Sequence, residues 1–343
     1  MSLAEFIAQM PKVELHVHLE GSIQPETLLT LAGRHGVGLP ANSVEGLREW
    51  YRFVDFSHFA EVYFTISECV RTVDDIELIA KEFLTGQASQ NIRHSEVTYT
   101  AYMHYLQKGL AFESQLAALN RARAWAQREH GVTMGVVIDI PRIIDASYGP
   151  MIADWAIQGM GDGVVAFGLG GLERGHPPEK FADAFDRTRA AGLPSVPHAG
   201  ETEGPESIWG ALRSLGARRI GHGVRCLEDR ALVDELRERQ IPLEVCPTSN
   251  VCLGVASSIA EHPVKMLLDE GLYVTINSDD PPMFNTSLTQ EFVHIAEAFD
   301  FDATVVERMT LNALRASFLP EDEKVRLETD FAAEFRRLHA AYQ

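Results

Sequence analysis

Two histidines, His16 and His18, stand two residues apart in the run KVELHVHLEG. In an extended segment alternate side chains share a face, so both imidazoles point the same way. Either one alone could be a core side chain satisfied by hydrogen bonds, so a metal site requires further donors to converge on the pair. His198 in VPHAGE and Asp279 in INSDDP stand at comparable places, each where a β-rich run ends. Three imidazoles and one carboxylate suit a borderline divalent ion such as Zn²⁺, one per chain, with a position left open for water. Lowering the pKa of that water to about 7 makes hydroxide available at neutral pH, and hydrolysis at an amine also needs a proton delivered to the leaving side. Glu201, three residues after His198, and His222, in RIGHG, are fitted for those duties, because neither is needed as a ligand.

Such a set must be positioned by elements that bring distant residues together. Eight β-rich runs, Val13–Leu19, Arg93–Thr100, Thr133–Ile140, Val164–Gly170, Pro194–Ala199, Arg219–Gly223, Pro242–Cys246 and Tyr273–Asn277, alternate with helix-like segments. Those segments carry apolar residues at helical spacing, as at Leu232, Val233 and Leu236. The alternation predicts a closed parallel (β/α)8 barrel, with residues 1–343 forming one metal-dependent catalytic domain. In that fold the strand ends at one rim gather residues far apart in sequence. The spacer from about Glu20 to Asn91 is much longer than a usual crossover and must hold extra helices. Within it Phe56, Phe59, Ala60, Tyr63 and Phe64 recur at helical spacing, with Phe53 just before. Two readings stand: a helix packed on the core, or an apolar lid over a small-molecule pocket at the active-site rim.

Composition narrows the partners. With 30 Lys+Arg against 49 Asp+Glu the 343-residue chain carries −19 at pH 7, which argues against a nucleic-acid partner. No apolar run is long enough for a membrane span, and the start lacks the pattern of a secretory signal, so a cytoplasmic location is expected. Four cysteines (Cys69, Cys226, Cys246, Cys252) form neither a disulfide framework nor a thiolate zinc motif.

Taken in order, HVHLEG, PHAGE, RIGHG, CPTSN and NSDDP resemble the motif set of the adenosine deaminase family of metal-dependent amidohydrolases, and the similarity runs from Pro11 to the helix beginning near Asn312. The resemblance implies a (β/α)8 barrel, one zinc ion, and hydrolytic deamination of a 6-aminopurine such as adenosine or 2′-deoxyadenosine. It implies His16, His18, His198 and Asp279 as ligands, Glu201 as proton shuttle to N1, and His222 as the residue that orients and deprotonates the water. It also places Asp280 at N7 and the backbone N–H of Gly171, in FGLGGLE, at N3. Chemistry supports these roles: attack at C6 disrupts aromaticity and becomes feasible when N1 is protonated as the C–O bond forms. N7 is an acceptor, so Asp280 must carry a proton to bond it, and crowding by Asp279 in a dry pocket favours one. Gly171 reads either as a tight-turn glycine or as a place where a planar base approaches the backbone.

Two positions depart from the adenosine deaminase pattern: Glu20 stands where HLDG is usual, and Leu169–Glu173 reads LGGLE where LAGDE is usual. Glu20 reads either as a ribose contact or as a rim residue held by backbone amides. Adenine deaminases share HxHxEG and a stretch like Gly175–Pro178, and aminodeoxyfutalosine deaminases accept a nucleoside bulky at the 5′ position. All three branches remain open on sequence. A binuclear amidohydrolase would need a bridging lysine at a strand end, whereas Lys180 lies in a helix-like segment. The H-x-E and P-C-x-x-C signature of cytidine-type deaminases is absent. An inactive barrel scaffold would have lost a ligand or Glu201, and all are present.

Overall fold

In a computed structural model of the chain, residues 1–53 and 56–342 are described, Phe56 by its backbone alone. Eight strands appear where the β-rich runs place them, shifted by a residue or so: β1 Lys12–His18, β2 Ile92–Tyr99, β3 Thr133–Pro141, β4 Val164–Gly170, β5 Ser195–Ala199, β6 Ile220–His222, β7 Leu243–Val245 and β8 Val274–Ile276. Each pairs in parallel with the next, in the order β1 to β8. A bridge between Val17 and Asp279 brings the end of β8 back to β1 and closes the (β/α)8 barrel. Every residue of β1 is buried, as expected for a parallel strand covered on both faces. That cover divides into two large apolar clusters, one under the helices of the first half of the chain and one under those of the second.

After α1 (Leu3–Gln9), the long spacer folds into α2 (Pro25–His35), α3 (Val44–Trp50), α4 (Phe56–Cys69) and α5 (Val73–Ser89). Helix α5 starts at Thr72 through a capping box in which Thr72 and Asp75 satisfy each other's backbone N–H groups. In α4 both readings of the apolar stripe hold, on adjoining faces. Val62, Ile66 and Cys69 are fully buried in the core. Phe59, Ala60, Tyr63 and Phe64, on the other face, line a cavity at the strand-end rim. The Phe59 ring stacks on Phe284 from the loop after β8, at 5.7 Å between centroids, tying α4 across the mouth of the barrel. The side chain of Phe56, grouped with this stripe from the sequence, lies outside the described residues. Among the described residues no helix is long and apolar enough to cross a membrane, and all four cysteines are free.

Candidate active site

The seam that closes the barrel also assembles the ligand cluster. Just past β8, Asn277 Oδ1 accepts the backbone N–H groups of Leu15 and His16, at 2.8 and 3.1 Å. Asp279 then lies alongside β1: its N–H donates to the His16 carbonyl (3.1 Å) and its carbonyl accepts from the His18 N–H (2.9 Å). Asp279 takes φ = 64° there, and His222, at the end of β6, takes φ = 61°. A left-handed backbone costs a non-glycine residue roughly 1–3 kcal/mol, and it persists here where barrel geometry fixes an ionisable side chain.

His16, His18, His198 and Asp279 are all buried, and one donor atom from each lies within 4.8 Å of the others. His18 Nε2 is 3.1 Å from His198 Nε2 and 3.3 Å from Asp279 Oδ1, while His16 Nε2 is 3.4 Å from Asp279 Oδ1. Tetrahedral bonds of about 2.0–2.1 Å put donor atoms about 3.3–3.4 Å apart, so these spacings match one shared ion. Further support comes from His16: its Nδ1 is 2.9 Å from Glu244 Oε2, while Nε2 is buried with no hydrogen-bond partner among the described residues. A carboxylate that takes the proton of one ring nitrogen leaves the other free to ligate. Glu244 is held in turn by Arg219, which is fully buried between Glu96 and Glu244. Burial works against charge on His16 and His18, yet Asp279 with Glu244 raises His16 to about 10, and Asp280 with Asp279 raises His18 to about 9. Surroundings that favour positive charge to this degree suit a divalent cation. Gly221 is explained by the same cluster, since a Cβ there would lie 2.8 Å from His16 Cε1.

Another grouping shares Asp279 with His222 and Cys246. Burial, with Asp279 and Glu291 nearby, pushes the Cys246 thiol well above its ordinary range, and its Sγ lies 3.6 Å from the Glu244 carbonyl as a donor.

Beside the cluster, His222 Nε2 lies 3.7 Å from Glu201 Oε1 and 3.9 Å from Asp279 Oδ2. Burial first, then the charges of Asp279 and Glu173, push the Glu201 carboxyl well above the usual carboxylate range. Glu173, at the end of LGGLE, accepts the backbone N–H groups of Glu201 (3.3 Å) and Glu203 (2.7 Å), so it fixes the loop that carries Glu201. Asp280 is raised to about 8 by burial and by Asp279, and its Oδ1 is buried without a partner among the described residues. Gly21 must be glycine beside it, because a Cβ would fall 1.6 Å from Asp280 Oδ1.

These groups meet at one cavity of about 380 Å³. His18, His198, Glu201, His222, Asp279, Asp280 and Gly171 line it, and Phe59, Phe64, Met103, Ile143, Leu172 and Leu253 give it apolar walls. Gly171 adopts φ = 88°, a conformation that favours glycine. Glu20 is set back from the cavity: Oε1 meets the Thr100 N–H (3.2 Å) and His104 Nε2 (3.0 Å), and Oε2 accepts from the Tyr63 hydroxyl (3.3 Å). Tyr63, not Glu20, reaches the wall.

Several site residues escape the sequence reading. Ser249 donates to Asp279 Oδ2 at 2.7 Å, and Glu244 holds His16. Asp139 lines the cavity with Oδ1 unpartnered, and burial raises its carboxyl to about 6. A carboxylate in the apolar run MGVVIDIP is a signal that could have found Asp139; nothing in the spacing marks Glu244.

Known proteins share this arrangement of chain. Residues 11–333 match the family model described as adenosine deaminase. A Streptomyces avermitilis protein named aminodeoxyfutalosine deaminase is 40% identical over 334 residues, covering 96% of this chain and 92% of its own length. The solved structure of an adenine deaminase from Arthrobacter aurescens is 32% identical, with a TM-score of 0.89 over 96% of this chain and 98% of that one. A Burkholderia ambifaria amidohydrolase solved with bound Zn is 25% identical, with a TM-score of 0.91 over 100% of this chain and 95% of that one. Motifs that meet at one rim and a family match spanning nearly the whole chain lead to one conclusion: the protein belongs to the adenosine deaminase family and is an aminohydrolase.

Proposed function

We propose that the chain catalyses hydrolytic deamination of a 6-aminopurine nucleoside with a bulky, largely aromatic substituent at the 5′ position, using one zinc ion held by His16, His18, His198 and Asp279. The observation that carries this reading is the meeting of that donor set with Glu201 and His222 at the floor of one apolar-walled cavity. A zinc ion there supplies a water acidic enough to react at neutral pH. Glu201 delivers a proton to N1 as the C–O bond forms at C6; the proton left on the added oxygen then passes to the amino group, the C6–N bond breaks, and ammonia leaves the 6-oxo product. His222 orients the attacking oxygen. Asp280 donates to N7, and the Gly171 N–H donates to N3. Glu20 takes part through Tyr63, whose hydroxyl it holds.

The 5′ assignment rests on size and polarity. The cavity exceeds what a bare purine fills, and its walls are mostly aromatic and aliphatic, with Ser57 and Glu61 of α4 among them. Arg142 is the one Lys or Arg among the described lining residues, and two nitrogens of its guanidinium are turned to the carbonyls of His176 and His198. The relative named aminodeoxyfutalosine deaminase agrees with a bulky nucleoside. One observation favours a second reading, free adenine: the Asp139 carboxyl lines the cavity with Oδ2 beside Gly170 and Oδ1 unpartnered among the described residues, where it could accept the N9–H of a base. Ultraviolet absorbance, followed in parallel with aminodeoxyfutalosine, adenosine, 2′-deoxyadenosine and adenine, separates the two. The expected result is the highest kcat/KM for aminodeoxyfutalosine. Preference for adenine over every nucleoside would move the assignment to the second reading, and no turnover of any of the four would overturn both.

A further inference from the structure

Behind His222, on the side away from the metal cluster, three buried side chains form a hydrogen-bonded row. His262 Nδ1 accepts the backbone N–H of Val264 at 3.1 Å. His262 Nε2 is 3.1 Å from Asn250 Oδ1, and Asn250 Nδ2 is 3.3 Å from His222 Nδ1. None of the three is more than 2% exposed, so bulk water does not compete with these partners.

One backbone amide fixes every proton in this row. A peptide N–H can only donate, so His262 Nδ1 has to be the unprotonated nitrogen and Nε2 has to carry the hydrogen. That N–H must meet an oxygen, which orients the Asn250 amide with Oδ1 toward His262 and Nδ2 toward His222. The amide N–H then points at His222 Nδ1, which must accept. Flipping Asn250 would set its Nδ2 donor against the His262 Nε2–H, an unmade pair that costs about 1–3 kcal/mol per group when buried. Burial also lowers His262 to about 4, in keeping with a neutral ring.

We propose that Asn250 and His262 are positioning residues that hold His222 in the neutral tautomer with its proton on Nε2, the nitrogen that faces Glu201 and Asp279. This rests on the reading of His222 as the group that orients the attacking oxygen. In that tautomer His222 orients by donating an N–H to the oxygen. Its remaining lone pair, on Nδ1, is occupied by Asn250, so the resting ring has no free nitrogen with which to take the water proton.

The test is nitrogen NMR of the full-length, zinc-loaded protein labelled with ¹⁵N-histidine, without substrate, with the His222 signals assigned by their loss in His222→Gln. The expected spectrum has His222 Nε2 protonated and Nδ1 unprotonated. Asn250→Asp puts a carboxylate oxygen opposite Nδ1 and should move the proton there, with kcat falling on the order of 10²–10⁴-fold, the range for a misplaced catalytic proton. His262→Gln, which can still donate to Asn250, should keep the wild-type pattern and turnover within about tenfold; His262→Leu should lose both. Should Asn250→Asp not fold, the wild-type spectrum and the His262 pair decide. A wild-type His222 protonated at Nδ1, or an Asn250→Asp variant that keeps both pattern and turnover, would overturn the proposal. The spectra need no substrate, so failure of the deaminase reading would appear separately, as absence of turnover by wild-type protein.

Discussion

Glu201 and Glu20 are both buried glutamates near the rim, and their partners assign them opposite duties. Glu201 has a backbone held by Glu173, a carboxyl raised by burial, and a place on the cavity wall, all suited to passing a proton. Replacing it with Gln keeps shape and removes the exchangeable acid, so kcat should fall on the order of 10²–10⁴-fold while elemental analysis still finds zinc. Near-normal turnover would take Glu201 out of the mechanism. Glu20 is fully engaged with His104, Thr100 and Tyr63, and His104 holds its carboxyl below the usual range despite burial. Glu20→Ala leaves those buried donors unpaired, which should cost about 1–3 kcal/mol in urea unfolding. Because Glu20 is set back from the cavity, kcat/KM should fall by similar factors for nucleoside and free base, and a loss confined to nucleosides would restore the direct ribose contact.

At the scale of elements, α4 decides what the outer cavity accepts. Removing a phenyl ring from an apolar wall forfeits roughly 1.5–3 kcal/mol of burial, so Phe64→Ala should lower kcat/KM for a 5′-substituted nucleoside about 10- to 100-fold while leaving adenine nearly unchanged. Equal losses for both would make α4 a structural wall only. The two faces of this helix also show how far sequence reasoning reaches. Phe59, Tyr63 and Phe64 were legible as an apolar stripe, whereas the buried row Val62, Ile66 and Cys69 was not, because apolar residues on two adjoining faces of one helix leave periodicity unable to tell core from cavity. The eight strands were legible because β-rich runs of VVIDIP type alternate with helical spacing, and the buried His/Asp cluster was legible because its members lie in, at the end of or just past those runs. Glu244 and the His262–Asn250 row were not, since their partners are set by strand register and loop packing across the barrel.

For the whole molecule, closing the barrel and building the site are one event. Asn277 and Asp279 pin the end of β8 to β1, and the same two residues bring the carboxylate to His16 and His18. A net charge of −19 surrounds this site with a field that discourages polyanions. An ion bound only by the folded chain stabilises it by mass action, so the metal-loaded protein should also unfold at higher temperature than the chelated one. The most direct test of a single-ion deaminase is a titration: zinc is added in steps to chelator-treated protein, and ammonia release from the preferred 6-aminopurine is measured at each step. The account predicts that activity rises from near zero and breaks at one zinc per chain, with His198→Ala showing no such rise. Full activity in metal-free protein, or a break at two ions, would contradict it.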